Sequence, residues 1–371
     1  MRIGVGTTIM SRGFRTSGID GIGQYSNNLL IEYDFRNINY IQTNFSENFF
    51  NKNYKSKKNI SLGKYGVLAS KFNIETSEIK QYKNEIDLFH ALDYFIPTFK
   101  NCPTLATVMD TIPLTHPQWV TNSLLNFVKT KIWRSAIEKV DHVVTISNFS
   151  KEEIIKNTNI HESKVSVIPL GVSDRFFKNS NKLSELIKIL PMLPRQFFLA
   201  VGTIQPRKNF ENLISAHQLL PKDYKENYPL VLVGRYGWGC EDLMKALRSN
   251  EYKNVIWLEY VQDNVLSSLI SLCSVLVVPS LYEGFGLPVL EGFASKVPVI
   301  SSNTTSLPEV GSKYSIQIDS TDAYELSSAM RNVVDHRASY NKIIDDAYLY
   351  AKDYSWSNTA KKTLSLYKKI I

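Results

Sequence analysis

At 371 residues the chain is too long for one ordinary hydrophobic core and divides most simply into two domains of ~150 to 200 residues, with a cleft between two lobes. Its 43% hydrophobic, 12% aromatic and 21% charged residues exclude intrinsic disorder, collagen-like repeats and a membrane-embedded protein. The formal charge of +8 is uneven, because residues 1–190 hold 24 Lys and Arg against 17 Asp and Glu and the second half is almost neutral; the excess suits phosphate groups of a substrate, an anionic lipid surface, or simply a set of solvated lysines.

The N-terminus, Met1–Gly6, reads as a first strand, without the apolar core of a secretory leader. Short β-branched runs then alternate with helical patterns, the signature of an α/β protein with parallel sheets. Predicted strands of the first series are Arg2–Gly6, Asn39–Thr43, Asp87–Ala91, Thr104–Met109, His142–Ser147 and Val165–Pro169. Two basic stretches lie among them. Asn51–Lys58 carries Lys52, Lys55, Lys57 and Lys58 around Tyr54, as a docking loop or a solvated one; Trp119–Val140 sets Phe127, Val128 and Trp133 beside Lys129, Lys131 and Arg134, as a helix lying on a membrane or on its own sheet.

Ser173–Pro194 is polar, Lys-rich and closed by two prolines, so a linker is predicted at 173–194 between domains at 1–172 and 195–353. A fresh series of strands follows at Phe197–Gly202, Leu230–Gly234, Val255–Glu259, Val275–Pro279, Pro298–Ser301 and Ile316–Ile318, and residues 354–371 read as a closing helix that packs back on the first domain. Cys102, Cys240 and Cys273 are odd in number and form no CxxC pair, which fits a reducing cytoplasm and no structural zinc.

The densest chemical segment runs from Val277 to Ala294. A buried strand enters the loop Glu283-Gly284-Phe285-Gly286-Leu287 and then a helix, the arrangement that offers backbone N–H groups and a positive dipole end to phosphate. Glu283 and Glu291 would be repelled by phosphate itself, so they are expected to address hydroxyl groups, a sugar for Glu283 and a ribose for Glu291. After the first strand of the second series comes Gly202-Thr203-Ile204-Gln205-Pro206-Arg207-Lys208-Asn209, whose two cations are placed to neutralise a leaving diphosphate. Gly21 and Gly23 open a helix in the first domain but do not complete a dinucleotide fingerprint, since Ser26 stands at the third glycine and no acidic residue ends the next strand. No Asp-x-Asp sequence occurs, so no metal clamp is expected.

Taken in order, Gly21–Tyr25, Val108-Met109-Asp110-Thr111-Ile112-Pro113, Val144–Ser150, Val167–Val172, Val201–Thr203 with Pro206–Asn209, the Glu283 and Glu291 pair, and Leu307–Val310 resemble the retaining glycosyltransferases of family 4 over nearly the whole chain. The resemblance implies the GT-B fold, two Rossmann-like domains with parallel sheets facing a central cleft. It implies that Lys208 and Arg207 hold the donor diphosphate, that Glu283 contacts the donor sugar and Glu291 the ribose, and that Gly21, Gly23, Gly202, Gly234, Val261, Gly284, Phe285, Gly286 and Leu287 shape the donor site.

Two departures stand out: Thr203 replaces an arginine common in the family, and Met109 replaces the histidine common before Asp110, so Asp110 acts alone or His116 or His90 takes the part. The activity implied is transfer of a hexose from GDP-mannose or UDP-glucose to a glycan or lipid-linked oligosaccharide of bacterial surface-polysaccharide assembly. No cofactor and no nucleic acid are expected. The expected location is the cytoplasm, at the inner face of the plasma membrane. Other readings are a nucleotide-sugar epimerase or phosphorylase of related architecture, and a non-catalytic nucleotide-sugar-binding protein.

Overall fold

A computed structural model describes the chain except residues 16–19, 46–49, 51–52, 63–76, 98, 121–123 and 179–182. Gly18, Lys52 and part of the 173–194 segment therefore lie outside the described residues. The chain divides into two units, Met1–Gly171 with Trp356–Ile371, and Val172–Ser355. Among the described residues no helix is long and apolar enough to cross a membrane.

The first unit is built on strands β1 (Ile3–Gly6), β2 (Tyr40–Asn44), β3 (Lys58–Ser61), β4 (Leu88–Ala91), β5 (Thr104–Thr107), β6 (His142–Thr145) and β7 (Val165–Val167). They form one sheet in the order β3-β2-β1-β4-β5-β6-β7, and every neighbouring pair is parallel. Parallel strands need crossover helices, which cover both faces, and β1, β2, β4 and β5 are accordingly buried throughout. The edge strand β3, absent from the sequence-based series, is mostly exposed and carries Lys58 and Ser61 in place of an apolar alternation. The predicted run to Ser147 ends at Thr145 because Ser147 caps the helix Asn148–Asn157, accepting from Ser150 N at 3.0 Å.

The helix Gly21–Phe35 starts at Asp20, whose carboxylate accepts from Gly23 N at 2.8 Å, and buries Tyr25, Leu29, Leu30 and Tyr33 along one face. The closing helix, Trp356–Ile370, belongs to this unit. It is held by a fully buried polar chain in which Tyr367 Oη lies 2.6 Å from both Tyr33 Oη and His90 Nδ1, and His90 Nε2 lies 2.8 Å from Thr107 Oγ1. Each of these buried groups needs its partner, because an unpaired one costs ~1–3 kcal/mol.

The second unit has strands β8 (Phe198–Val201), β9 (Leu230–Val233), β10 (Val255–Leu258), β11 (Val275–Val278), β12 (Val299–Ser302) and β13 (Ile316–Ile318). They form a parallel sheet in the order β10-β9-β8-β11-β12-β13. Phe198, Leu213, Leu230, Val275 and Met330 meet in its core, none more than barely exposed. Residues 173–194, read above as a linker, fall inside this unit: Phe176 is buried, and Arg175 pairs with Asp263 at the start of the helix Asp263–Leu272.

Candidate active site

In an open parallel sheet, ligands meet the C-terminal ends of the strands where the strand order reverses. In the second unit that point lies between β8 and β11, and the loops leaving these two strands carry Arg207, Lys208 and Glu283. The loops are stitched together by main-chain and amide bonds. Leu281 N donates to Arg207 O at 2.8 Å, and Asn209 Nδ2 donates to Pro279 O at 3.2 Å and Ser320 O at 2.6 Å. Asn209 takes the left-handed conformation, φ +58°, between the short turn Pro206–Lys208 and the helix Phe210–Leu219.

The glycines act here by close approach. Gly202 has φ +151°, and a Cβ on it would sit 3.0 Å from Lys208 Cε, so the residue leaves a channel for the lysine stem. A Cβ on Gly234 would fall 1.8 Å from the Gly202 carbonyl oxygen, which only glycine permits. Thr203, standing at the family's usual arginine, turns its methyl toward Gly237, where a Cβ would be 2.7 Å away.

Glu283 is the hub. Lys208 Nζ donates to its Oε1 at 2.5 Å, Ser280 Oγ donates to the same oxygen at 2.8 Å, and Arg207 Nη1 donates to Oε2 at 2.9 Å. Arg207 also donates to Tyr282 O at 3.0 Å, and the Gln205 amide, with its oxygen toward the guanidinium, accepts from Nε and Nη2 at 2.9 and 3.0 Å. The backbone of Glu283 is pinned as well: its N–H donates to Thr305 Oγ1 at 3.2 Å, and Ser306 Oγ donates to its carbonyl at 2.8 Å. Burial pushes the Glu283 carboxyl up, but Lys208 and Arg207 outweigh it and hold the group at about 2. Burial lowers Lys208, against the pull of Glu283. Charge-assisted bonds at both carboxylate oxygens keep the cluster ionic.

Beyond Glu283 the chain turns through Gly284, Phe285 and Gly286 into the helix Leu287–Ala294. Gly286 has φ +100°, a Cβ there would meet Leu307 Cδ2 at 2.5 Å, and no side chain caps the helix start. The Phe285 ring is buried and packs against Tyr354, ring centroids 6.1 Å apart.

Glu291, one turn into this helix, differs from Glu283 in charge state. Burial raises its carboxyl to about 7, with Arg175 opposing the rise and Asp263 adding to it. One carboxyl is thus fixed as an anion and the other is poised near neutrality, the kind of separation that lets two acids hold different roles. Val261 lies half-buried in the loop after β10, two residues before Asp263.

The remaining expected residues lie on the first unit. Gly21 and Gly23 form the capped start of their helix. Asp110 Oδ1 accepts from Ile112 N at 3.1 Å, shaping the turn into Ile112–Thr115, and Met109 O accepts from Ser150 Oγ at 2.9 Å. His116 stacks on Trp119 at 4.2 Å between centroids, while His90 is wholly buried with both ring nitrogens engaged and is pushed by burial to about 3, neutral and structural.

Residues that the motifs did not disclose include Ser280, Thr305, Ser306, Arg175, Asp263 and, at the β1/β4 reversal of the first unit, Asp93. Asp93 accepts from Ile9 N at 2.8 Å, and burial raises it to about 6. Its one sequence signal is an acid just past the end of a predicted strand.

Because the folded-state value of Glu291 lies above the ordinary 4.5, the folded protein gains from its protonation at low pH and loses that gain as pH rises through about 7. Glu291→Gln should therefore raise stability relative to the unaltered chain at pH 8, by at most ~3 kcal/mol before allowance for partial exposure, and much less at pH 5. Thermal unfolding at the two pH values checks this, and an equal difference at both would contradict it.

Comparison with known proteins agrees with this fold. A profile described as Glycosyltransferase Family 4 matches residues 67–176 and one described as Glycosyl transferases group 1 matches 184–350. The chain is 29% identical over 297 residues to O-antigen chain mannosyltransferase B of Escherichia coli, covering 78% of this chain and 76% of that one. It is 30% identical over 277 residues to the serotype-specific mannosyltransferase WbdA of Escherichia coli, 72% of this chain but only 34% of that longer protein. Among solved structures, sucrose-phosphate synthase from Thermosynechococcus elongatus superposes with a TM-score of 0.76 at 17% identity, covering 100% and 98% of the two chains. HepE from Anabaena, solved in complex with UDP and glucose, gives 0.75 at 15% identity, covering 100% of both. With a glycosyltransferase region matched in each unit and GT-B structures superposing along the whole chain, the chain belongs to the family 4 glycosyltransferases.

Proposed function

We propose that this glycosyltransferase moves a hexose from a nucleotide-sugar donor to a glycan acceptor with retention of anomeric configuration. The observation that carries the reading is the ionised Glu283 clasped by Lys208 and Arg207 at the β8/β11 switch point. As the bond from the anomeric carbon to the diphosphate oxygen breaks, negative charge grows on that oxygen, and Lys208 and Arg207 stabilise it. An acceptor hydroxyl forms the new carbon–oxygen bond on the same face, and its proton passes to the departing phosphate oxygen. Glu283 addresses hydroxyls of the transferred sugar and Glu291 those of the ribose. The two mannosyltransferase relatives support mannose as the sugar and a polysaccharide chain as the acceptor. Because side chains supply the positive charge, the reaction is proposed to need no metal or other cofactor.

The test is a screen of nucleotide sugars against oligosaccharide acceptors. Lys208→Ala and Glu283→Ala are expected to lower kcat by ~100-fold or more, and EDTA to leave the rate unchanged. Full activity of Glu283→Ala in a folded protein would overturn the assignment, and loss on chelation restored by Mg²⁺ would overturn the metal-free mechanism.

The acceptor is proposed to be lipid-linked, reached at an anionic bilayer. On the helix Leu124–Lys139 of the first unit, Trp133 and Ile137 turn inward while Phe127 and Val128 are exposed beside Lys129, Lys131 and Arg134. Lys131 Nζ lies 4.4 Å above the Phe127 ring, so cation and aromatic share one outward face. Sedimentation with anionic vesicles is expected at low salt, with release at high salt and a clear loss in a Phe127→Ser, Lys131→Ser double variant. Indifference of the unaltered protein to anionic vesicles at low salt would contradict membrane docking.

A further inference from the structure

We propose that Arg175 is a positioning residue for the donor, placed to divide its charge between Asp263 and Glu291 and so to govern how firmly Glu291 grips the ribose. This rests on the nucleotide-sugar reading above and adds a residue to it. The turn that carries Arg175, Asp174–Phe176, packs against two helices, Asp263–Leu272 and Leu287–Ala294. Phe176 is buried, and Ser295 Oγ, just past the second helix, donates to its carbonyl at 3.3 Å. Ser295 lies four positions after Glu291, so the two share one side of that helix, the side the turn lies on. From this seat the Arg175 guanidinium pairs through Nη1 with Asp263, the first residue of the other helix, and lies 5.0 Å from the Phe176 ring centroid. Arg175 Nε is buried and meets no acceptor among the described residues. A guanidinium holds five N–H donors in a fixed fork, so one pair with Asp263 leaves donors for a second carboxylate.

Among the described residues, the charges that act on Glu291 are those of Arg175 on the turn, Asp263 at the neighbouring helix start and Lys208 in the loop after β8. Strands β11 and β12, beneath the Glu291 helix, carry no titratable side chain. The helix Asn341–Ala351 meets the opposite side, where Phe293, about 200° round the helix from Glu291, packs on Tyr350. The Glu309 carboxylate acts on Tyr350, Asp345 pairs with Lys296 at 2.8 Å, and Lys342 and Asp346 are exposed.

An ionised carboxylate accepts from both hydroxyls of a ribose, whereas a protonated one keeps an O–H of its own and turns a donor toward them. Donor binding therefore selects the anion, and the apparent affinity follows the fraction of Glu291 that is ionised. Burial holds that carboxyl at about 7, with Arg175 favouring the anion and Asp263 opposing it. Asp263 opposes it twice, by its own charge and by drawing the guanidinium to itself. Its side chain is 58% exposed, so it stays solvated when the cation leans toward Glu291.

The experiment is calorimetric titration of the full chain with GDP-mannose and with UDP-glucose at several pH values between 6 and 8.5, following whichever binds more tightly. Both carry a diphosphate esterified at its two ends, which stays fully ionised over this range. Arg175→Ala, Asp263→Asn and Glu291→Gln are compared, each first shown to unfold cooperatively. The unaltered protein should bind roughly tenfold more tightly at pH 8 than at pH 6, and Glu291→Gln should bind more weakly at pH 8 and lose that dependence. Arg175→Ala should weaken binding by about threefold or more at pH 7 and by less than about twofold at pH 8.5, while Asp263→Asn should tighten it by about threefold or more at pH 6. A flat profile in the unaltered protein, an equal loss at every pH in Arg175→Ala, or an Asp263→Asn profile that coincides with that of the unaltered protein would overturn the proposal while leaving the ribose contact intact. Failure of the unaltered protein to bind either nucleotide sugar, or unchanged binding by Glu291→Gln at pH 8, would overturn the ribose reading along with it.

Discussion

A carboxylate with no more than a tenth of its side chain exposed must have its charge met, and the two cations that meet that of Glu283 come from a loop some 75 residues earlier in the chain. The rest of the second unit follows from this requirement. Lys208 reaches Glu283 only because Gly202 lacks a side chain, and Gly202 can lie where it does only because Gly234 lacks one too. Asn209 and the Leu281 N–H to Arg207 carbonyl bond then lock the two loops in register. Removing one member of such a buried ionic cluster strands the others, a cost of ~3–5 kcal/mol that argues for the cluster as a unit. In the proposed reaction a diphosphate arriving at Lys208 and Arg207 would meet positive charge already oriented by Glu283, leaving little reorganisation for the moment of reaction.

The second acidic site obeys the opposite rule. Glu291 is paired with no cation among the described residues, burial dominates, and the carboxyl rises toward neutrality, with the Asp263 charge pushing it the same way. The two glutamates, eight positions apart on one loop and helix, therefore differ in charge because of what surrounds them and not because of their spacing.

How much of this was legible in the sequence depends on where the information lies. The strands β8, β9 and β11 were plain because both their faces are buried and their residues are nearly all apolar. The exposed edge strand β3 left no such pattern. Arg207, Lys208 and Glu283 were readable because each follows a strand near glycines, and Glu291 because it stands on the helix that the glycine loop opens. Ser280, Thr305, Ser306 and Arg175 were not, because only folding brings the Ser280 hydroxyl to the Glu283 carboxylate, the Thr305 and Ser306 hydroxyls to the Glu283 backbone, and the Arg175 charge near Glu291. Polar composition also misplaced 173–194: Arg175 answers Asp263 and Phe176 enters the core, which average composition over twenty residues hides. The place of Asp93 emerged only with the strand order, which sets β1 beside β4.

The most direct test of the ionic cluster is the charge state of Glu283 itself, followed by carbon-13 NMR of its side-chain carboxyl, assigned by comparison with Glu283→Gln, from pH 8 down to pH 4. Held at about 2, below the ordinary glutamate value of 4.5, the group should keep the chemical shift of an ionised carboxylate across the whole range, and its contribution to stability, full above 4.5, should fade as pH falls from 4.5 through about 2. A titration within that range, with a midpoint at or above 4.5, would show that Lys208 and Arg207 do not hold the charge and would contradict the account of the site.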